Sequence, residues 1–310
     1  QTRPQAILNW NSFNVGARTT LTFDQQGNAN WVALNRVVGS TAPSQILGNI
    51  KADGAVYVIN QNGIIFGGAS QVNVGALIAS TANITDTQFL RNGIYSQQAS
   101  GQYVPSFTDA RGAVRVEAGA LISTNPPSSV TQGGGFVLLM GTEVSNAGSI
   151  TAPRGQVQLA AGNDFLLRPG YSTDANQGST TRGNEISPIV RDAIAAVGNT
   201  GLIFAQQGDI TLAGRSITQD GVLVATSSVN TRGTIHLLNA ASDAAGSVTL
   251  GSGSLTTILP ELDSSETALD SQRSQLVADS KAFAHAPVAN AQFDNLSQLS
   301  DRRSEEHTSE

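Results

Sequence analysis

Apolar residues recur along the chain in short bursts, each closed off by glycine or asparagine. "AILNW", "TLTF", "WVALN", "AVYVI", "IIF", "VNVGALIAS", "AVRVEAGALIS", "FVLLM", "SIT" and "QVQLA" come first; "LIFA", "DITLAG", "SITQ", "VLVAT", "TIHLL" and "SVTL" follow after a gap. Alternation with period two over three to five residues, with Gly-, Asn- and Thr-rich corners, predicts an all-β protein. Short strands also suit a sandwich or barrel. The spacing favours a solenoid: Gly112, Gly135 and Gly155, then Gly201 and Gly221, each precede an x-apolar-x-apolar strand. A step of about 20 residues holding two or three very short strands matches one coil of a parallel β-helix.

In "VINQNGIIFGG" (Val58–Gly68), the polar Asn60-Gln61-Asn62-Gly63 separates two strand-like runs. Asn-Gly is the strongest short hairpin signal. In a solenoid the same residues are a bend between two strands of one coil, with Asn62 and Gly63 suited to left-handed backbone and Ile64 opening the next face. The bend is the preferred reading.

Two stretches depart from the pattern. Residues 168–200 read as an irregular insertion containing a short helix over 188–197, with Ser187 as N-cap, Pro188 at the first helical position and Gly198 as the stop. Residues 201–260 resume the coils. Strand formers then vanish, and 261–302 reads as a helical or loosely ordered insertion. "RSEEHTSE" (303–310) reads as a translated sequencing-library adapter and is set aside.

Composition narrows the function classes. Only 13% of the 310 residues are charged, well under the usual quarter, so the surface is polar through Ser, Thr, Asn and Gln. The net charge of −6 offers no general attraction for nucleic acid, and Arg3, Arg18, Arg36 and Lys51 are spaced rather than clustered. The chain contains no cysteine, which suits passage through an oxidising periplasm. Gln1 is not an initiator residue, so a preceding segment is expected.

Candidate chemistry is sparse. Asp24, Asp53, Glu117 and Glu143 stand singly between apolar strands, whereas a β-helical polysaccharide lyase or hydrolase needs grouped carboxylates. His236, His285 and His307 form no ligand pair, and His236 is expected to point outward from its strand. "GGG" (133–135) and "GSGS" (251–254) lack the Lys-Ser/Thr of a phosphate loop and read as corners. Trp31 is expected in the core or at an end cap; Trp10, between Asn9 and Asn11, is more open. No catalytic, metal or cofactor-binding residue is assigned.

Four segments, "AILNWNSFNVG" (Ala6–Gly16), "VALNRVVG" (Val32–Gly39), "PSQILGNIKADGAVYVINQNGIIFG" (Pro43–Gly67) and "QVNVGALIAST" (Gln71–Thr81), closely resemble the secretion (TPS) domain of filamentous haemagglutinin-type exoproteins. These are the exported partners of two-partner secretion systems. "SNAGSITAPRGQVQLAAG" (Ser145–Gly162) resembles the coils that follow, and "SVTLGSGSLTTILPELDSSETALDSQR" resembles large exoproteins with a further central module. The resemblance implies a right-handed parallel β-helix, with residues 1–167 forming the secretion domain and its opening cap lying ahead of Gln1. It implies a secreted or cell-surface protein of Gram-negative bacteria that transits the periplasm. The implied partner is an outer-membrane β-barrel transporter with periplasmic POTRA-type domains; host or bacterial surface glycans or proteins are further partners of the family. The expected function is therefore export through that transporter and nucleation of β-helix folding, for an adhesin-like exoprotein. A carbohydrate-active β-helical enzyme and the N-terminal part of a contact-dependent toxin are the alternatives.

Carried over by position, the recognition motif falls on Asn60, Asn62, Gly63 and Ile64. The other signature residues are Asn9, Trp10, Ser12, Phe13, Asn14, Asn35, Arg36 and Val37. Gln61 stands where the family has proline, and no Asn-Pro-Asn-Leu motif is present.

Overall fold

The computed structural model describes residues 1–127, 133–169, 184–191, 194–228, 233–240 and 243–261. Within them the chain winds as a parallel β-helix of three long sheets. Sheet I stacks Gln5–Trp10, Val32–Val37, Ala55–Ile59, Ala76–Ser80, Phe136–Gly141, Gln156–Ala161, Asp209–Ala213 and Thr234–Leu238. Sheet II runs from Ser44–Ile46 to Ser247–Leu250, and sheet III from Thr20–Phe23 to Leu255–Pro260. Every pairing in these three sheets is parallel, for example Val56↔Leu77 in sheet I and Val144↔Val197 in sheet II.

The inner core is a column of aliphatic side chains, with Val58, Ile64, Val72, Leu139, Ile150 and Leu212 all fully buried. The middle strands of sheet I, from Ala55–Ile59 to Asp209–Ala213, are buried on both faces. Val56 and Val58 point into the column, while Tyr57 and Ile59 face a second cluster with Phe89, Phe107, Phe165 and Ile186. This explains why "AVYVI" reads as an unbroken apolar run while "QVNV" in sheet III alternates exposed and buried.

The second cluster is roofed by two excursions. One carries a helix, Asp86–Asn92, capped by the Thr85 hydroxyl accepting from the Gln88 amide, with Gly93 at φ +62° closing it. The roof is an antiparallel sheet in the order Ser96–Gln97, Tyr103–Phe107, Asp164–Pro169, Asn184–Ile189.

That sheet corrects the helix expected over 188–197. Pro188 pairs with Phe165 and Ser187 with Leu166, while Ala196–Asn199 is a sheet II strand in which Gly198 sits opposite Ser145. The local cap signals were overridden by pairing: Ile186 is driven into the outer cluster, which outweighs a propensity difference of a few tenths of a kcal/mol per residue. The irregular insertion expected over 168–200 contains strand at Asn184–Ile189 and Ala196–Asn199; 170–183 and 192–193 lie outside the described residues, as do the adapter-like 303–310 and all but Glu261 of the insertion expected over 261–302.

The glycines that revealed the period belong to three different corners. Gly135 and Gly155 stack where sheet III turns into sheet I, Gly201 and Gly221 where sheet II turns into sheet III, and Gly112 where sheet I leads into sheet II. Stacked glycines touch backbone to backbone: a Cβ on Gly155 would sit 1.9 Å from the Gly135 carbonyl oxygen.

Candidate transporter-recognition groove

Asn60-Gln61-Asn62-Gly63 is a coil corner and not a hairpin, because the strands on either side lie in different sheets. The turn closes on itself: the Gly63 amide donates to the Asn60 carbonyl (3.0 Å), and the Asn60 side-chain oxygen accepts from the Asn62 amide (3.0 Å). Gly63 alone takes positive φ, at +123°, whereas Asn62 does not adopt the left-handed backbone expected of it. A Cβ at Gly63 would press on the Ala113 carbonyl oxygen and Pro43, both at 3.2 Å.

The four motif residues divide by burial. Asn60 is buried and donates to the Ala42 carbonyl (3.1 Å) and the Ser44 hydroxyl (3.0 Å). Ile64 is fully buried in the inner column. Asn62 is exposed, and its amide donates to the Ser40 carbonyl (2.8 Å). Gln61, where proline would offer no donor, reaches the Asp109 carbonyl (2.8 Å) and so ties this corner to the first excursion.

The signature residues build the N-terminal end of the tube. Asn35 is fully buried among inward-facing residues; it accepts from the Trp10 indole (3.1 Å) and donates to the Ala33 and Tyr57 carbonyls (3.2 Å each). Trp10 lies edge-on to buried Phe13, with ring centres 5.6 Å apart. Asn14 accepts from the Gln45 amide (2.8 Å), holding the first strand of sheet II. Val37 packs partly against the inner column, while Asn9 and Ser12 are exposed. Trp31 is half-buried in the loop ahead of Val32–Val37. Arg36 points outward, pairing with Asp86 (2.6 Å) and donating to the Ile84 carbonyl at the foot of the helix.

Signature and turn motif meet in space. Arg36, Val37, Val38, Gln61, Asn62 and Arg111 line one cavity of about 370 Å3 at the corner between sheets I and II. Val38 is 63% exposed there. Arg111 pairs with Asp109, and that hydrogen bond holds the Asp109 carboxyl below the usual carboxylate range. The groove thus presents an apolar spot beside amide and guanidinium donors. Sequence reasoning did not single out Val38, Arg111 or Asp109. Val38 was legible as the last apolar residue of "NRVVG"; Arg111 reaches the groove, with Asp109 paired to it, only because the first excursion folds back beside it.

Three of the four scattered acids have structural partners: Asp24 accepts from the Gln26 amide, Asp53 from the Gly27 amide, and Glu143 lies 3.8 Å from Arg115, while Glu117 is exposed. Among the described residues no group of three His, Asp or Glu could hold a metal ion. His236 is exposed on its strand.

The family model for the TPS secretion domain matches residues 1–250, running past the boundary expected at 167. A heme/hemopexin-binding protein of Haemophilus influenzae is 32% identical over 213 residues, covering 68% of this chain and 21% of that protein. Another protein of that description from the same species is 40% identical over 80 residues, or 26% of this chain and 8% of its own length. The chain thus spans at most about a fifth of these relatives. Among solved structures, the HMW1 secretion domain from Haemophilus influenzae superposes with a TM-score of 0.56 at 22% identity, over 82% of this chain and 66% of that one, a likeness of fold.

Proposed function

This chain belongs to the TPS secretion domain family, and from that premise we propose that the groove between sheets I and II is where its outer-membrane transporter takes hold. The family consists of secretion domains of exported exoproteins and is not an enzyme family. In the proposed mechanism the first coils, groove included, are already wound when the transporter's periplasmic POTRA-type domains recognise them in a Gram-negative periplasm, and they then nucleate the winding of the later coils of an adhesin-like exoprotein outside. One observation carries this reading: two motifs separated in sequence, Asn35-Arg36-Val37 and Asn60–Ile64, converge on a single groove.

The division of labour follows from burial. Asn35, Asn60 and Ile64 are enclosed and act by holding backbone in place. Val38 and Asn62 are exposed and are the groups a partner would touch. A Val38→Asp substitution puts a charge on the apolar spot without disturbing the core. Co-expressed with the cognate transporter, the Val38→Asp and Asn62→Ala variants are expected to leave the cell at less than about a tenth of the parent yield, the cost of losing roughly 1.4 kcal/mol of recognition. Export of both at the parent level removes the groove from the mechanism.

A further inference from the structure

The antiparallel roof over sheet I is assembled from two excursions that are far apart in sequence. The first, within 81–112, supplies the helix, Ser96–Gln97 and Tyr103–Phe107; the second, within 162–195, supplies Asp164–Pro169 and Asn184–Ile189. Neither is self-sufficient. Ser96–Gln97 and Tyr103–Phe107 share only two residue pairs, too little for a hairpin to persist in water. The helix is moored to the first coils by Arg36 and Tyr57, but what fixes the strand that follows it comes from the second excursion: Phe107 pairs with Phe165, the Ala110 amide donates to the Asn163 carbonyl (2.8 Å), and the Tyr95 hydroxyl donates to the Asn184 side chain (2.5 Å). The second is anchored in turn on sheet I, where the Gln156 and Gln158 amides donate to the Asn184 carbonyl at 2.6 and 2.8 Å.

We propose that this roof is a folding clasp, which stays open on the early coils until residues 164–189 arrive and then closes both excursions in one step. The inner column needs no roof to form, because its contacts lie between consecutive coils. The outer face does: Leu34, Tyr57, Ile59 and Ile78 share their cluster with Phe165, Leu167 and Ile186. Until the clasp closes, that face of the first coils is an exposed apolar surface, and its burial signals that winding has passed Gln156–Ala161. Testing the clasp requires no transporter, so its outcome is separate from that of the groove.

Pulse-labelling hydrogen exchange during refolding of the whole chain tests it. Amides of Tyr103–Phe107 are expected to gain protection in the same step as Asp164–Pro169 and Asn184–Ile189, after Gln71–Val74 and Leu121–Thr124, the sheet III strands before and after the first excursion. Protection of Tyr103–Phe107 together with those sheet III strands, ahead of Asp164–Pro169 and Asn184–Ile189, overturns the proposal. Tyr95→Phe deletes a single hydroxyl at the joint and leaves both excursions intact. Native-state exchange across Tyr103–Phe107 and Asn184–Ile189 should then rise together by roughly three- to tenfold, with Gln71–Val74 unchanged. A rise confined to one excursion, or none, contradicts a shared closure.

Discussion

Two corners of the same tube are built in opposite ways. Where sheet II turns into sheet III, the connections are residues 47–48, 67–70, 117–120, 147–148, 200–201, 220–221 and 251–254, short in every coil. Where sheet I turns into sheet II they are 38–43, 60–63, 81–112, 142, 162–195, 214–215 and 239–246. The first corner is closed by backbone lying on backbone: a Cβ on Gly201 would fall 2.1 Å from the Gly148 carbonyl oxygen, and one on Gly221 2.3 Å from that of Gly201. No side chain fits at these glycines, and the connections stay within four residues. The second corner is held by side chains instead, through Asn60, Asn62, Gln61 and Arg36, and it accommodates both excursions and the groove. A repetitive fold thus concentrates its individuality at a corner where side-chain bonds supplement the close backbone approach of Gly112 to Gly63.

The comparison can be broken most severely at the tight corner. Gly201→Val drives a branched side chain into the Gly148 backbone and should cost about 4 kcal/mol or more, read from the urea midpoint of unfolding. Beside it, Asn146, Asn199 and Gln219 form a buried ladder, with the Asn146 amide donating to Asn199 and the Asn199 amide to Gln219, both at 2.8 Å. Asn199→Ala strands both neighbours and should cost about 2–3 kcal/mol in the same measurement.

Alkali should act on the other corner. Burial raises the Tyr95 hydroxyl from its ordinary value of 10.0 to about 12, and burial raises Tyr57 further. A raised folded-state value means stability is fully present below pH 10 and is lost as pH climbs toward 12. Circular dichroism across that window is expected to show the outer sheet loosening, with a shallower pH slope in Tyr95→Phe. The smallest effect is at the groove itself: Asn62→Ala removes an exposed hydrogen bond and should cost less than about 1 kcal/mol of stability, so any export defect it causes is one of recognition.

The tube was legible in the sequence because its inward positions alternate and its corners carry glycine. Gly135 and Gly155 disclose the period, although spacing alone does not tell that they and Gly201 sit at different corners. Asn60–Ile64 was legible as a corner through Asn-Gly between two apolar runs. The antiparallel roof was not. "SPIVRDAIAAVG" carries real helix-capping signals, and only contacts with Phe165 and the outer cluster, distant in sequence, turn Pro188 into a strand residue. The roof's demand was visible in one respect: "AVYVI" is apolar on both faces, which a one-sided solenoid wall does not require. The groove was half visible, since its two motifs are local but their meeting is tertiary.

The most direct measurement is calorimetric titration of the folded chain with the isolated periplasmic domains of its transporter, comparing Val38→Asp at the open corner with Glu117→Ala, exposed at the tight one. The account predicts binding weakened at least about tenfold by Val38→Asp and unchanged by Glu117→Ala, with both variants melting like the parent. Equal affinity for all three, or a loss produced by Glu117→Ala alone, contradicts it.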